Sequence, residues 1–240
     1  MNSNRKTAII VGVLFLTSTA AIMLGGEVFI EPILSAPNFL INVSANSTQV
    51  IIGLLLALFC GAAVVGIAVM MFPILKKHNE SIALGYVGFR VIEAAIIFVS
   101  EIILLSLLTL SQEYVKAGAP DASYFQTLGT LAIEGRMWGY QMVMIVCGLG
   151  GLMFCYLLYQ SKLIPRFLSV LGLIGYAMLL TGALLDTFSV IDHLHGAGLI
   201  ITHLPGGLFE ILLPIWLIVK GFNSSAIASE SAKTDINEIK

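Results

Sequence analysis

Six long apolar runs, separated by shorter polar segments, dominate the pattern of the chain. A helix needs about 20 residues, at about 1.5 Å each, to cross a hydrocarbon core of roughly 30 Å. Each run is long enough, and a helix satisfies its own backbone polar groups, so each run predicts a membrane-spanning helix. The predicted spans are Thr7–Phe29, Val50–Leu75, Ile82–Leu110, Gly135–Gln160, Phe167–Leu185 and Leu199–Phe222. The fold class is therefore an all-α integral membrane bundle of six helices.

The segments between the runs predict how the spans connect. Short turns join spans two to three and four to five, so these pairs are antiparallel neighbours. The longer connections, 30–49 and 111–134, contain proline and glycine and are expected to be loops without further spans. Residues 1–222 form one domain, and the Ser-rich, charged stretch 223–240 is expected to be a disordered tail. The first run also has features of a secretory signal, but its length favours a span.

Composition excludes some classes of protein. The chain is 58% hydrophobic and 11% charged, with a mean hydropathy of +0.97, which is far from the range of soluble domains. Its 12 Lys and Arg against 14 Asp and Glu leave no positive excess to bind nucleic acid. Cys60, Cys147 and Cys155 lie inside apolar runs and are expected to be buried thiols. The expected partner is the lipid bilayer.

Positive charges mark alternate ends of the spans. Lysine and arginine near span ends stay on the cytoplasmic side. This rule predicts that both termini are cytoplasmic. The residues on the predicted cytoplasmic side are Arg5, Lys6, Lys76, Lys77, Lys162, Arg166 and Lys220.

Charged residues inside spans three and six are the main candidates for a site. Arg90, Glu93 and Glu101 fall within about 80° of arc on one helix, so they share a face. An ionisable residue at a span centre costs roughly 2.5 to 3.5 kcal/mol on insertion scales, so this face is expected to be buried. Span six contributes His203 and Glu210. We expect Arg90 to form an ion pair with Glu93 or Glu210.

These charges have two interpretations. In the first, they only hold the helices in register, as buried ion pairs often do. In the second, they form a charged pocket or proton relay, and Pro205-Gly206-Gly207 interrupts span six beside Glu210, as in the discontinuous helices of transporters. If the charges are only structural, span six is expected to begin at Pro205, a favoured first position of a helix.

Polar residues also gather near the external ends of the spans. Imidazole and carboxylate groups suit zinc, and Asp186, His195 and His203 are the candidate ligands for a metal site that would activate water. Glu134 or Glu101 would then act as general base. A solvated loop and a proton-handling site are the alternatives. No other cofactor is predicted.

At the start of span four, one helix face carries several polar residues. Glu134, Trp138 and Gln141 share this face, while Arg136 lies on the other side. We expect Trp138 to belong to the aromatic belt at the membrane interface and Arg136 to extend toward the lipid head groups.

Three short motifs resemble a known family of bacterial membrane proteins. They are Phe89-Arg90-Val91-Ile92-Glu93, Gln160-Ser161-Lys162-Leu163-Ile164-Pro165-Arg166-Phe167-Leu168, and Phe209-Glu210 followed by Trp216-Leu217-Ile218-Val219-Lys220-Gly221. Over nearly the whole chain the sequence resembles the family catalogued as domain of unknown function 4386. The resemblance implies a multi-span helical protein of the cytoplasmic membrane and no established activity. Ser169 stands where the family usually has glycine, a departure confined to the turn.

Three hypotheses of function follow. The first is a protein that binds or transports an ion, a proton or a small polar molecule through Arg90, Glu93, Glu101 and Glu210. The second is an intramembrane metal-dependent hydrolase built on the external residues. The third is a structural or accessory protein in which the charges only register helices. The sequence favours a protein that is not an enzyme, and it predicts neither the cargo nor the oligomeric state.

Overall fold

The structure is a computed structural model that describes residues 3–119, 123–192 and 196–223, together with residue 226. Every regular element in these ranges is a helix. The elements are α1 (Ser3–Met23), a π-helical segment (Leu24–Ile30), α2 (Glu31–Leu34), α3 (Phe39–Ala45), α4 (Ser47–Leu75), α5 (Glu80–Lys116), α6 (Ser123–Ser161), α7 (Arg166–Thr187) and α8 (Gly196–Val219).

Six of these helical runs are long and apolar enough to cross a membrane. They are the continuous run Ser3–Leu34 and the helices α4 to α8. The prediction of an all-α, six-span membrane protein is therefore confirmed. The predicted tail at 223–240 lies almost entirely outside the described residues.

Both predicted long loops are wrong in extent. The region 111–134 was expected to be a loop, but α5 continues to Lys116 and α6 begins at Ser123. The end of α5 is polar, but glutamine, glutamate and lysine all favour a helix. The helix therefore continues through these polar residues. The region 30–49 contains α2, α3 and the start of α4, and the two short helices are far too short to span a membrane.

The sixth span is continuous through its prolines. Helix α8 runs from Gly196 to Val219 with Pro205 and Pro214 inside it. Neither expectation for Pro205, a break in the span or its first residue, is therefore correct. Membrane helices tolerate internal proline because neighbouring helices and local adjustments satisfy the backbone. Here Gly175 of α7 packs directly on Gly206, since a Cβ at Gly175 would lie 2.5 Å from the Gly206 Cα.

The chain divides into two compact units. The first comprises Met1–Leu16, Val64–Ile92 and Met144–Lys240. Its core is built around Phe154, whose ring stacks on Tyr86 at 4.9 Å and on Phe15 at 6.1 Å between centroids. Small residues allow the helices of this unit to approach closely, as the Gly175 contact shows.

The second unit comprises Thr17–Ala63 and Glu93–Val143. Its apolar core includes Ile30, Leu40 and Leu104, and the rings of Tyr114 and Phe125 meet at 5.3 Å.

Candidate functional site

Arg90 is held inside the first unit by α5 and α6. Only 4% of the residue is exposed. Its Nη1 lies 3.7 Å from Cys147 Sγ on α6, and its guanidinium carbon lies 5.6 Å from the centre of the Tyr86 ring. Tyr86 and Arg90 are four residues apart on α5, the spacing at which helical side chains meet. The ring thus lies against the guanidinium and forms a cation–π contact with it.

Glu210 of α8 meets Tyr176 of α7 in the same unit. The Tyr176 hydroxyl donates a hydrogen bond of 3.0 Å to Glu210 Oε1. Tyr176 is fully buried, and its ring packs edge-on against Phe209 at 5.9 Å. Gly151 of α6 also lies against the Tyr176 ring, and a Cβ at Gly151 would overlap the ring atoms. The glycine therefore makes room for the tyrosine that reaches Glu210.

Arg90 and Glu210 lie in the same unit as a phenol and two thiols. Cys147 Sγ is 3.7 Å from Arg90 Nη1, and Cys155 Sγ packs against Gly172 of α7 beside the Phe209 ring. The polar group of Arg90, Cys147, Cys155, Tyr176 and Glu210 thus combines a cation, a carboxyl group, a phenol and two thiols within the first unit. A set of this kind can orient a small ion or exchange a proton at the carboxyl group.

Glu93 is buried as well, with 5% of the residue exposed. It belongs to the second unit and follows Arg90 by three residues on α5. Whether Arg90 pairs with Glu93 or with Glu210 stays a prediction.

Glu101 has a partner that the sequence did not indicate. Its Oε1 lies 3.8 Å from Arg136 Nη2 in the second unit, and the two side chains are 5% and 17% exposed. The expectation that Arg136 extends to the lipid head groups is therefore wrong. Across this pair of helices, Gly139 of α6 packs against Ser100 of α5. This close approach of α5 and α6 brings Arg136, near the start of the predicted fourth span, next to Glu101 in the third.

Two atoms of this ion pair have no hydrogen-bond partner among the residues described. They are Glu101 Oε2 and Arg136 Nε. The pair is therefore buried and only partly satisfied, which makes it sensitive to loss of either charge.

The remaining external candidates in the described ranges lie on α6, α7 and α8. Glu134 and Trp138 are exposed on α6, whereas Gln141 is buried. Asp186 and His203 are half-buried in the first unit, and His203 Nδ1 lies 2.9 Å from the Thr202 hydroxyl.

The metal hypothesis depends partly on residues that the structure does not describe. His195 lies outside the described residues. Within the described ranges, no group of three or more His, Cys, Asp or Glu side chains is arranged to hold a metal ion. The zinc site stays a prediction.

Sequence reasoning missed Tyr176 and the polar role of two cysteines. Cys147 and Cys155 are buried thiols, as expected, but they also flank the charged group. A tyrosine in the middle of an apolar span is a usable signal, because a buried hydroxyl usually finds a polar partner.

The architecture agrees with a comparison to known protein families. A family model described as a domain of unknown function, DUF4386, matches residues 10–221. No curated protein and no solved structure is significantly similar to the chain. The match covers all six spans in large part, together with Arg90, Glu93, Tyr176 and Glu210. The chain is a multi-pass membrane protein and belongs to the DUF4386 family.

Proposed function

We propose that the protein binds a proton or a small cation at the Glu210 carboxyl group and moves it through the membrane. The observation that carries the proposal is the 3.0 Å hydrogen bond from the buried Tyr176 to the half-buried Glu210, in the unit that also contains the buried Arg90. Ionisable side chains at membrane depth are costly, and in membrane proteins they commonly mark ion pathways and proton relays.

Charge supports proton or cation exchange at Glu210. In the first unit, the polar group contains one arginine, Arg90, and one carboxyl group, Glu210. A low-dielectric surrounding disfavours a net charge. Binding or release of a proton or cation at Glu210 changes the net charge of this group, and the nearby positive charge of Arg90 keeps the ionised carboxylate tolerable.

Three residues of the polar group have distinct roles in this proposal. Glu210 binds the ligand, and Tyr176 fixes the orientation of its carboxyl group. The positive charge of Arg90 weakens cation binding enough to permit release. Pro205 and Pro214 remove two amide donors from α8 on either side of Glu210, which allows this helix to bend during exchange.

The test is ion flux in proteoliposomes that carry an imposed membrane potential. Proton flux is followed with an internal pH-sensitive dye, and Na⁺ and K⁺ fluxes with ion-sensitive dyes. Glu210→Gln should reduce flux at least about tenfold because it removes the titrating group. Tyr176→Phe should have a smaller effect. Glu134→Gln, which neutralises an exposed carboxylate on α6, is the matched control and should leave flux unchanged.

Two outcomes would count against the proposal. Wild-type protein that conducts none of the three ions above the level of empty liposomes would reject it. A Glu210→Gln protein with normal flux but lower thermal stability would instead support helix registration. Elution of every variant as a single species in size-exclusion chromatography checks folding.

A further inference from the structure

An apolar groove lies between the beginning of α7 and the end of α8, in the first unit. Its volume is about 240 Å³. The lining is almost entirely apolar, and Lys220 is its one charged residue. The lining residues are Phe167, Leu168, Leu212, Ile215, Trp216, Val219 and Lys220.

The rim of this groove is rich in positive charge. Arg166 directly precedes Phe167, which lines the groove. Asn223 donates hydrogen bonds of 2.6 Å and 2.8 Å to the carbonyls of Lys162 and Leu163, so the chain after α8 lies against the turn before α7. The turn that carries Lys162 therefore lies beside the segment that follows Lys220.

The position of Lys220 after α8 suggests an interaction with the dipole of this helix. A cation after the last turn of a helix interacts favourably with the helix dipole. Arg5 already serves this purpose, because its guanidinium donates hydrogen bonds of 2.7 to 3.1 Å to the carbonyls of Leu217, Ile218 and Val219. The Lys220 side chain is exposed and forms no ion pair or hydrogen bond within the described ranges. Its charge remains accessible to a ligand at the groove.

We propose that this groove binds an anionic phospholipid of the bilayer. One acyl chain lies along the apolar wall between Leu212 and Val219, and the phosphate is held by Lys220 with support from Arg166. Basic pockets between membrane helices are suited to anionic head groups, and each nearby Lys or Arg strengthens the attraction.

The two tryptophans of the chain provide a direct test. The Trp138→Phe protein keeps only Trp216, which lines the groove. The Trp216→Phe protein keeps only Trp138, an exposed residue of α6. Each is reconstituted with phosphatidylglycerol or phosphatidylcholine whose acyl chains carry bromine, which quenches tryptophan fluorescence on contact.

We expect Trp216 to be quenched at about fivefold lower mole fraction of brominated phosphatidylglycerol than of phosphatidylcholine. Trp138 should show no preference. In the single-tryptophan background, Lys220→Gln should remove most of the preference of Trp216. Lys77→Gln, which removes a cation at a different turn, should preserve it.

Equal quenching of Trp216 by both lipids would overturn the proposal, as would a preference that survives Lys220→Gln. Lys220 is exposed, so this variant is expected to fold, and its elution profile verifies that. The readout is independent of ion flux, so its failure would leave the transport proposal intact.

Discussion

Replacing Arg136 by methionine should destabilise the protein more than the ion-pair distance suggests. Glu101 and Arg136 lie 3.8 Å apart with side chains 5% and 17% exposed. At an effective dielectric constant of about 20, Coulomb attraction at this distance is about 4 kcal/mol. Desolvation offsets part of it, so the expected coupling is on the order of 2 kcal/mol. The single variant should lose about 3 to 5 kcal/mol, because it leaves a buried carboxylate uncompensated.

The chain contains a matched control pair. Lys116 Nζ and Glu113 Oε1 are closer, at 2.7 Å, but their side chains are 69% and 58% exposed. Solvent screening limits such a pair to about 0.2 to 1 kcal/mol. The reasoning therefore predicts that the longer ion pair is the stronger one.

The assay is a double-mutant cycle for each pair. Reversible unfolding in mixed micelles of dodecyl sulfate and a mild detergent gives the free energy of unfolding of Arg136→Met, Glu101→Leu and the double variant. The same set is measured for Lys116→Met and Glu113→Leu. A coupling energy for the buried pair no larger than that of the exposed pair would falsify the argument from burial.

Three further predictions concern packing and the ends of helices. Gly175→Ala should lower the free energy of unfolding by about 1 to 3 kcal/mol because the new Cβ would meet the Gly206 backbone. Gly207→Ala is the control: its Cβ would have no atom within 4 Å, so the free energy of unfolding should change by less than about 1 kcal/mol. Arg5→Ala should lower stability by about 1 to 3 kcal/mol through loss of its three hydrogen bonds to α8, and the exposed Lys6→Ala should not; both are read by thermal unfolding. The three native thiols should react with maleimide only after unfolding, whereas Gln112→Cys, at an exposed position, should react at once; rapid labelling of the folded wild type would contradict the burial of Cys60, Cys147 and Cys155.

The six spans could be predicted because their signal is local. A run of about 20 apolar residues identifies a membrane helix without knowledge of its neighbours. The ends of helices carry a weaker signal. Polar residues near Lys116 and Ser123 suggested a loop, yet α5 and α6 extend through them, because a helix outside the hydrocarbon core needs no apolar run.

The continuity of α8 could not be predicted from Pro205 alone. In water an internal proline usually ends or kinks a helix. In this chain Gly206 packs on Gly175 of the neighbouring helix, and such contacts stabilise a span that local propensity would interrupt. The continuity of α8 therefore depends on packing against α7 and not on the residues of α8 alone.

For the candidate site, the sequence predicts which charged residues are buried but not which residues they contact. The burial of Arg90 and Glu101 follows from the cost of charge in lipid, which the sequence reveals directly. Their partners depend on the register between helices, which one chain read in isolation does not show. For this reason Arg136 was assigned to the lipid interface, and Tyr176 was not named at all.

The bond between Arg5 and the end of α8 has a consequence for synthesis of the chain. The donor and its first acceptor, the Leu217 carbonyl, are separated by 212 residues. At about 5 to 20 residues per second, the ribosome makes the acceptor at least about 10 seconds after the donor. The first helix must therefore enter the bilayer and wait among provisional neighbours, and its final attachment forms only after the last helix has emerged.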